Sequence, residues 1–172
     1  MQSRSWIIRG VRSDEDWGQI FSLLVSVYVD EGFTDATSAR HTFGRSSLEK
    51  QGDLLVASDQ QGHILGVVLL LKEQSGLREV ASPGEAEFRF LGVDRRARGQ
   101  GIGRELILTC LERARGRGAQ RMVLSTQPSM RSAHGLYESL GFTRQHGRDW
   151  QTPAGGSRLV YSIELNQTGL FK

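Results

Sequence analysis

Glycines and arginines are concentrated in the sequence VDRRARGQGIGREL, from Val93 to Leu106. Three of the glycines stand where a strand pattern ends and a helix pattern begins: Gly99, Gly101 and Gly103. Backbone N–H groups at a helix N-terminus have no intrahelical partner and carry the positive end of the helix dipole, so they bind phosphate oxygens. Arginines suit phosphate as well, and four flank the glycines: Arg95, Arg96, Arg98 and Arg104. The stretch predicts a phosphate-binding corner.

Three phosphate-binding patterns can be compared with this corner. A P-loop needs Gly-Lys-Ser/Thr after its first glycine and four further residues, and the stretch has no such lysine. The dinucleotide pattern G-x-G-x-x-G begins at Gly99 and Gly101 but ends on Arg104. The pattern R-x-x-G-x-G is satisfied by Arg98, Gly101 and Gly103. Glycine is plentiful in this chain, so a tight strand-to-helix turn without a ligand remains an alternative.

Alternating and helical patterns predict the elements around the corner. WIIRG predicts a first strand, and apolar residues at helical spacing predict a helix that begins near Asp14. A shorter helix is expected around Ala39 to Lys50. The two β-rich runs of DLLVASDQQGHILGVVLLL predict an antiparallel hairpin that turns at residues 59–62. A loop follows from Lys72 to Gly84.

The second half of the chain predicts a strand, helix, strand crossover. EAEFRFLGV alternates as a strand, with one face made of Glu87, Arg89, Leu91 and Val93 and the other of Phe88 and Phe90. An apolar stripe predicts a helix from Ile102 to about Arg117, stopped by Gly118. RMVLST predicts the next strand. MRSAHGLYESLGF predicts a helix that ends at Gly141, and LVYSIEL a last strand.

The composition limits the class of protein. The chain has 172 residues and a net charge of +3, and it predicts one domain with a core at about 5–165 and a flexible C-terminal tail. Its one cysteine, Cys110, excludes an internal disulfide framework and fits a packed thiol in a cytoplasmic protein. The longest apolar run, ILGVVLLL, is too short to span a membrane, so we expect a soluble chain with its natural N-terminus. No lysine-rich arm or basic aromatic patch points to nucleic acid.

The run AEFRFLGVDRRARGQGIGRELILTCLERARGRGAQRMVLST, followed by AHGLYESLGF, resembles the GNAT superfamily of N-acetyltransferases. The close resemblance covers about residues 85–142, and the first fifty residues fit only as the family's variable region. It implies an α/β fold with a mixed, mostly antiparallel sheet of six to seven strands, a central splayed parallel pair and helices on both faces. In this family the pyrophosphate of acetyl-coenzyme A lies on the glycine-rich loop.

The resemblance assigns the residues that bind the coenzyme. Leu91 and Val93 match strand positions whose backbone pairs with the pantetheine arm, and Gly92 suits the bulge at which the central strands separate. Where many members have asparagine this chain has Met130, for which the neighbouring Ser129 is a substitute. The pyrophosphate loop corresponds to Arg98, Gly99, Gln100, Gly101, Ile102, Gly103 and Arg104.

Acetyl transfer to an amine needs a neutral amine and a proton for the departing thiolate. An alkylamine is neutral in only about one molecule in two thousand at pH 7, so a base is useful. Glu87 matches the general-base glutamate of the family's protein-acetylating branches; the alternative is an ordinary low-pKa carboxylate paired with Arg89 or another basic neighbour, and Glu85 is a weaker candidate. Tyr137 matches the tyrosine near the coenzyme sulfur, where it would act as the acid; a core tyrosine is the competing interpretation.

The remaining expectations concern the reaction and its partners. A backbone N–H near Gly92 or Val93 would meet the oxyanion. Cys110 is not expected to be a nucleophile, and the scattered histidines predict no metal site. Side chains that line the acceptor site are expected among Trp150, Asp149, Phe33 and Arg89.

The predicted function is transfer of the acetyl group of acetyl-CoA to a primary amine of a small molecule or peptide by direct attack. A non-catalytic acetyl-CoA-binding regulatory module is the alternative, and a nucleic-acid binder a more distant one. A homodimer is possible, and no membrane or nucleic-acid partner is expected.

Overall fold

Eight strands and five helices alternate along residues 5–166, the part of the chain that the computed structural model describes. The strands are β1 (Trp6–Gly10), β2 (Gly52–Asp59), β3 (Ile64–Leu71), β4 (Glu85–Val93), β5 (Arg121–Thr126), β6 (Thr143–Arg144), β7 (Trp150–Gln151) and β8 (Ser157–Glu164). The helices are α1 (Asp14–Tyr28), α2 (Ala36–Phe43), α3 (Arg45–Leu48), α4 (Ile102–Gly116) and α5 (Arg131–Ser139). The predicted C-terminal tail lies almost entirely outside the described residues.

The strands form one sheet in the order β1-β2-β3-β4-β5-β8-β6, and β7 also pairs with β8. Only β4 and β5 run parallel, and their register covers three residue pairs, from Glu85 opposite Arg121 to Glu87 opposite Val123. Within the described chain the two strands make no ladder pairs beyond these, so a gap opens between them toward the end of β4. The predicted fold class, including the splayed parallel pair, is confirmed, although two very short strands bring the number to eight.

Helices cover both faces of the sheet. On one face α1 packs its Ile20 and Leu24 against β3 and β4, in a core cluster that also contains Phe90. On the other face α4 packs Leu106 and Leu111 in a second cluster with residues of β3, β4 and β5. Helix α1 begins, and α4 begins and ends, close to where the sequence pattern predicts. No helix among the described residues is long and apolar enough to cross a bilayer.

The helix expected around Ala39 to Lys50 is wrong in its bounds. Two shorter helices, α2 and α3, replace it, and Gly44 separates them with an extended backbone (ψ 147°). The first of them starts earlier than expected because the Asp35 carboxylate caps it, accepting the N–H groups of Thr37 and Ser38 at 2.9 Å each. Such a side-chain cap satisfies N–H groups that the first turn leaves free.

The bulge predicted at Gly92 lies two residues earlier. Opposite β3, Val67 pairs with Gly92 and Leu69 with Arg89, so two residues of β4, Phe90 and Leu91, face one residue of β3. Phe90 has a positive φ of 58°, a conformation that a bulge can impose on a strand. The predicted alternation therefore fails after Arg89.

The bulge redistributes the side chains of β4. Phe88 and Phe90, predicted on one face, belong to different core clusters, and Leu91 and Val93 pack toward α4 rather than on the face of Glu87. A Cβ at Gly92 would lie 3.2 Å from a methyl group of Leu23 on α1.

Two segments, residues 72–84 and 145–156, are joined beside the start of β4. Arg148 joins them, because its guanidinium donates to the backbone oxygen of Val80 and forms an ion pair with Glu85 at 2.8 Å. Arg148 and Glu85 thus fix the position of the long loop before β4.

Candidate active site

A cavity of about 640 Å³ opens at the gap beyond the parallel pair, between the end of α1, the end of β4 and the N-termini of α4 and α5. Ten of the eleven residues predicted to bind a coenzyme line it: Leu91, Gly92, Val93, Arg98, Gly99, Gly101, Ile102, Gly103, Arg104 and Ser129. Gln100 lines a neighbouring cavity on the other side of the loop instead. The chain folds so that a loop, a strand end and two helix starts meet at one place.

The glycine-rich loop presents backbone donors to this cavity. The first N–H to enter the α4 ladder is that of Glu105, which donates to the Gly101 carbonyl at 3.0 Å. Within the described chain the six preceding N–H groups, of residues 99–104, have no acceptor. Gly99 (φ 79°) and Gly101 (φ 82°) adopt the left-handed conformation that glycine alone takes without strain. This row of free donors at a helix N-terminus fits a pyrophosphate group.

The arginines of the corner differ in their contacts. Arg98 donates to the Glu31 carboxylate at 2.6 Å, and Arg95 reaches the same carboxylate at 3.2 Å. Arg96 pairs with Asp94 instead, on the outside of the loop. Burial raises the pKa of Glu31, but hydrogen bonds from Arg98 and Arg95 outweigh this and hold the pKa below its usual value. An ionised carboxylate therefore lies in the cavity beside the phosphate-binding loop.

A second cavity, of about 240 Å³, adjoins the first. Four residues line both: Tyr28, Phe33, Leu91 and Met130. Aromatic rings form much of its wall, from Tyr28, Phe33, Phe43, Phe88, Phe90 and Tyr137. Its polar wall consists of Thr34, Thr42, Glu79, Arg89, Ser125, Thr126, Gln127 and Arg158. A group that entered through the larger cavity would reach the smaller one at this junction.

Tyr137, the predicted acid, lies in the wall of the smaller cavity. It is 6% exposed and contacts the rings of Phe88, Phe142 and Tyr161, with centroids 5.8 to 6.1 Å away. No partner for its hydroxyl is found among the described residues, so the hydroxyl is available to a ligand. Burial raises the pKa of the phenol. Both predicted surroundings of Tyr137 are thus found together, an apolar cluster and a place in a cavity wall.

Glu87, the predicted base, is only 1% exposed and does not line either cavity. Its carboxylate accepts the backbone N–H groups of Glu79, Val80 and Ala81 at 3.1 to 3.2 Å. Burial raises its pKa, and these three donors offset only part of the effect. The alternative of an ordinary low-pKa carboxylate paired with Arg89 does not apply, because the pKa of Glu87 is raised and Arg89 pairs with Glu79. The contacts of Glu87 hold the loop before β4.

The carboxylate that does line the smaller cavity is Glu79. It forms an ion pair with Arg89 at 2.7 Å and accepts the hydroxyl hydrogen of Ser125 at 2.7 Å. Glu85, the weaker candidate, pairs with Arg148 and Arg121 away from the cavity. Although burial raises the pKa of Glu85, the Arg148 hydrogen bond and its other partners lower it further, so the net pKa is low.

Other predicted residues are divided between site and scaffold. Phe33 and Arg89 line the smaller cavity, but Asp149 pairs with Arg144 at 2.7 Å and neither it nor Trp150 reaches the cavity. Cys110 lies on the fully buried face of α4. Burial raises the pKa of its thiol, so a nucleophilic role has no support.

Two residues near the start of α5 have contacts of their own. Met130 lines both cavities, and its sulfur accepts a hydrogen bond from the Thr126 hydroxyl at 3.6 Å. A methionine has no side-chain amide to offer a ligand. His134 packs on the Tyr161 ring and lies 3.0 Å from the Gln127 carbonyl oxygen. No group of three or more potential metal ligands comes together within residues 5–166.

Four of the polar residues that were not predicted make contacts that shape the site. Tyr28 donates to the Leu91 carbonyl at 2.9 Å, and Glu31 binds Arg98. Glu79 and Ser125 meet across 46 positions of sequence. Only Glu31 had a local signal, an acidic residue just after α1, and none of these contacts follows from a repeating pattern.

Comparison with known proteins agrees with this geometry. The sequence model of the Acetyltransferase (GNAT) family matches residues 12–142. The chain is 35% identical over 104 residues to N-acetyltransferase 8B of Homo sapiens, covering 58% of this chain and 43% of that protein. It is 48% identical over 58 residues to mycothiol acetyltransferase of Thermomonospora curvata, covering 34% of this chain and 20% of that protein. The chain thus spans less than half the length of these curated relatives.

A solved structure has the same fold. An acetyltransferase of the GNAT family from Staphylococcus aureus superposes with a TM-score of 0.74 at 15% identity, covering 94% of this chain and 99% of that one. The family match extends over most of the chain and contains the glycine-rich loop, the splayed strands and α5. The predicted family is confirmed: the chain belongs to the GNAT family of acetyltransferases.

Proposed function

We propose that this protein transfers the acetyl group of acetyl-CoA to a primary amine by direct attack of the amine nitrogen. The observation that carries the proposal is the row of six free backbone N–H groups in a cavity that adjoins a second, aromatic one. The first cavity would hold the coenzyme, whose thioester supplies the acetyl group. The second would hold the acceptor.

The residues of the larger cavity would bind and orient the donor. The N–H groups of residues 99–104 would hold the pyrophosphate, with Arg98 and Arg104 close by. The end of β4, from Leu91 to Val93, would direct the pantetheine arm toward the junction of the cavities, as the family resemblance implies. Ser129 offers a hydroxyl at the start of α5, where Met130 offers none.

Tyr137 would provide the proton for the departing thiolate. A phenol with a normal pKa near 10 protonates a thiolate of pKa about 8.5 at a cost of about 2 kcal/mol. Burial raises the pKa of Tyr137 and so increases this cost, unless the same apolar wall raises the pKa of the thiol as well. Proton transfer stays feasible because both groups would share that wall.

We propose that Glu87 serves the acceptor side by fixing the loop that carries Glu79. Both Glu87 oxygens already accept backbone N–H groups, so direct proton removal from an amine would require that loop to move. Glu79 has a carboxylate in the cavity and would accept a hydrogen bond from the amine. As the N–C bond forms and the C–S bond breaks, the amine would give its proton to the Glu79 carboxylate, directly or through water. Tyr137 would give its own proton to the departing thiolate.

Coenzyme release with a panel of amines tests the proposal, with wild type compared to Tyr137→Phe, Glu79→Gln and Glu87→Gln. We expect a fall in kcat of at least tenfold for Tyr137→Phe, and a rise in the acceptor KM for Glu79→Gln. A pH profile that loses its acidic limb only in Glu87→Gln would assign the base role to Glu87 itself. Tight coenzyme binding without turnover of any amine would contradict the enzyme and favour a non-catalytic binding module.

A further inference from the structure

The smaller cavity carries an uncompensated positive charge. Its charged residues are Glu79, Arg89 and Arg158. Arg89 is neutralised, because it pairs with Glu79 at 2.7 Å, donates to the Leu77 carbonyl at 2.9 Å and stacks over the Phe90 ring at 4.6 Å. Arg158 donates only to the carbonyl of Ser157 at 3.0 Å, and in the described part of the chain no carboxylate pairs with it.

Arg158 and Glu79 lie on the same side of the sheet. Ser125, which binds Glu79, is directly opposite Val160 in the β5–β8 register. Arg158 comes two residues before Val160, and residues two apart in a strand share a face. The backbone of Arg158 thus lies roughly 7 Å along β8 from Val160, the residue opposite Ser125. A small molecule can span that separation within a cavity of about 240 Å³.

A partly buried guanidinium without an anionic partner favours an oxyanion ligand. Arg158 is half-buried in the cavity wall, and the planar fork of donors matches carboxylate and phosphate oxygens in pairs. The carboxylate of Glu79, at the other end, favours the amine. The charge distribution of the cavity therefore complements a molecule with an amine at one end and an oxyanion at the other.

We propose that the acceptor is a small primary amine that also carries a carboxylate or phosphate group, held by the guanidinium of Arg158 with its amine toward Glu79. The inference rests on the proposed function, since it concerns the acceptor of the same transfer. It assigns Arg158 as the residue that selects the acceptor.

Two matched pairs of amines test the inference by coenzyme release: glycine with glycinamide, and phosphoethanolamine with ethanolamine. Wild type is compared with Arg158→Gln, with Arg158→Lys, and with Arg115→Gln as the control. Arg115 is exposed on α4, far from the cavity, so its replacement makes the same change of net charge. Thermal unfolding of each variant confirms that it is folded.

We expect the oxyanion member of one pair to have a KM at least tenfold lower than its neutral partner. The pair that shows the preference identifies the oxyanion as carboxylate or phosphate. Arg158→Gln should raise that KM about tenfold, with the KM for acetyl-CoA unchanged, and Arg158→Lys should keep part of the preference because it keeps the charge.

Equal or better use of both neutral amines would overturn the inference, as would a preference that survives in Arg158→Gln. Turnover of a neutral peptide N-terminus alone would overturn it too, and would leave the proposed function standing. Absence of turnover with every amine and peptide, despite coenzyme binding, would overturn both.

Discussion

Replacement of Glu31 by glutamine should tighten coenzyme A binding, although Glu31 lies in the cavity that would hold the coenzyme. Its carboxylate binds Arg98 at 2.6 Å and Arg95 at 3.2 Å, with side chains that are 20%, 45% and 59% exposed. Exposed ion pairs of this kind contribute about 0.2–1 kcal/mol. A pyrophosphate must share or displace this pairing, and it also meets the repulsion of the carboxylate. We take the sum as about 1 kcal/mol, which corresponds to a Kd about fivefold lower in Glu31→Gln.

Isothermal titration with coenzyme A at low ionic strength measures this difference. Glu15→Gln is the matched control, because Glu15 is an exposed residue of α1 outside the cavity and its replacement removes the same charge. The difference should shrink at high salt, where exposed charges are screened. Weaker binding in Glu31→Gln would refute the reasoning, since it would mean that Glu31 holds Arg98 in place for the phosphate. Unchanged binding would refute it as well.

Two further predictions concern stability. Gly101→Ala puts a side chain at φ 82° with no atom within 4 Å of its Cβ. Backbone strain alone should therefore lower the free energy of unfolding by roughly 1–2 kcal/mol and displace the loop N–H groups. Thermal unfolding and coenzyme titration measure the two effects, and Gly116→Ala at the end of α4 should show neither. Asp16→Asn should cost about 3 kcal/mol in urea unfolding at pH 7, because it leaves buried Arg9 without its charge partner at 2.7 Å. The hydrogen bond from Arg9 lowers the pKa of Asp16 below 3.8, so the stability it gives is present above pH 3.8 and lost as the pH falls through the lowered pKa; an equal difference between the two proteins well below pH 3 would contradict this.

Local signals brought together most of the residues that line the larger cavity, the proposed donor site. Gly99 and Gly101 occupy backbone conformations that few other residues tolerate, and Ile102 opens the apolar stripe of α4, so the type of residue and its spacing were enough. The N–H groups without an acceptor there belong to the main chain, and their position follows from where a helix starts. Such a helix start can be predicted from the residue types and the apolar spacing around it.

The lining of the smaller cavity, the proposed acceptor site, could not be predicted in the same way. Glu79 reaches the cavity because Glu87 holds its loop, because Arg89 pairs with it and because Ser125 donates to it. Each contact joins segments distant in sequence or depends on a loop without periodicity. Arg158 stands just before the predicted last strand, and no local pattern marks it as a residue of the site.

A bulge in β4 was predicted at Gly92, but its exact position could not be predicted from a local pattern. Polar and apolar residues alternate from Glu87 to Phe90, and the adjacent apolar pair Phe90–Leu91 also fits a strand that is buried on both faces. Because a phenylalanine at positive φ is rare, no residue type marked Phe90 as the place where the strand changes register. Only pairing with β3 reveals the extra residue, since Val67 and Leu69 fix the register on either side.

The extra residue acts on the side chains of β4 like a shift of reading frame. Before it, odd-numbered Arg89 faces the acceptor cavity; after it, odd-numbered Val93 packs toward α4 and even-numbered Gly92 faces α1. If β4 kept all its residues but alternated without the bulge, its end would turn over and Val93 would point toward Leu23, where a Cβ at position 92 is already tight at 3.2 Å. The packing of α1 and the separation of two ligand sites on a single strand thus depend on the same inserted residue.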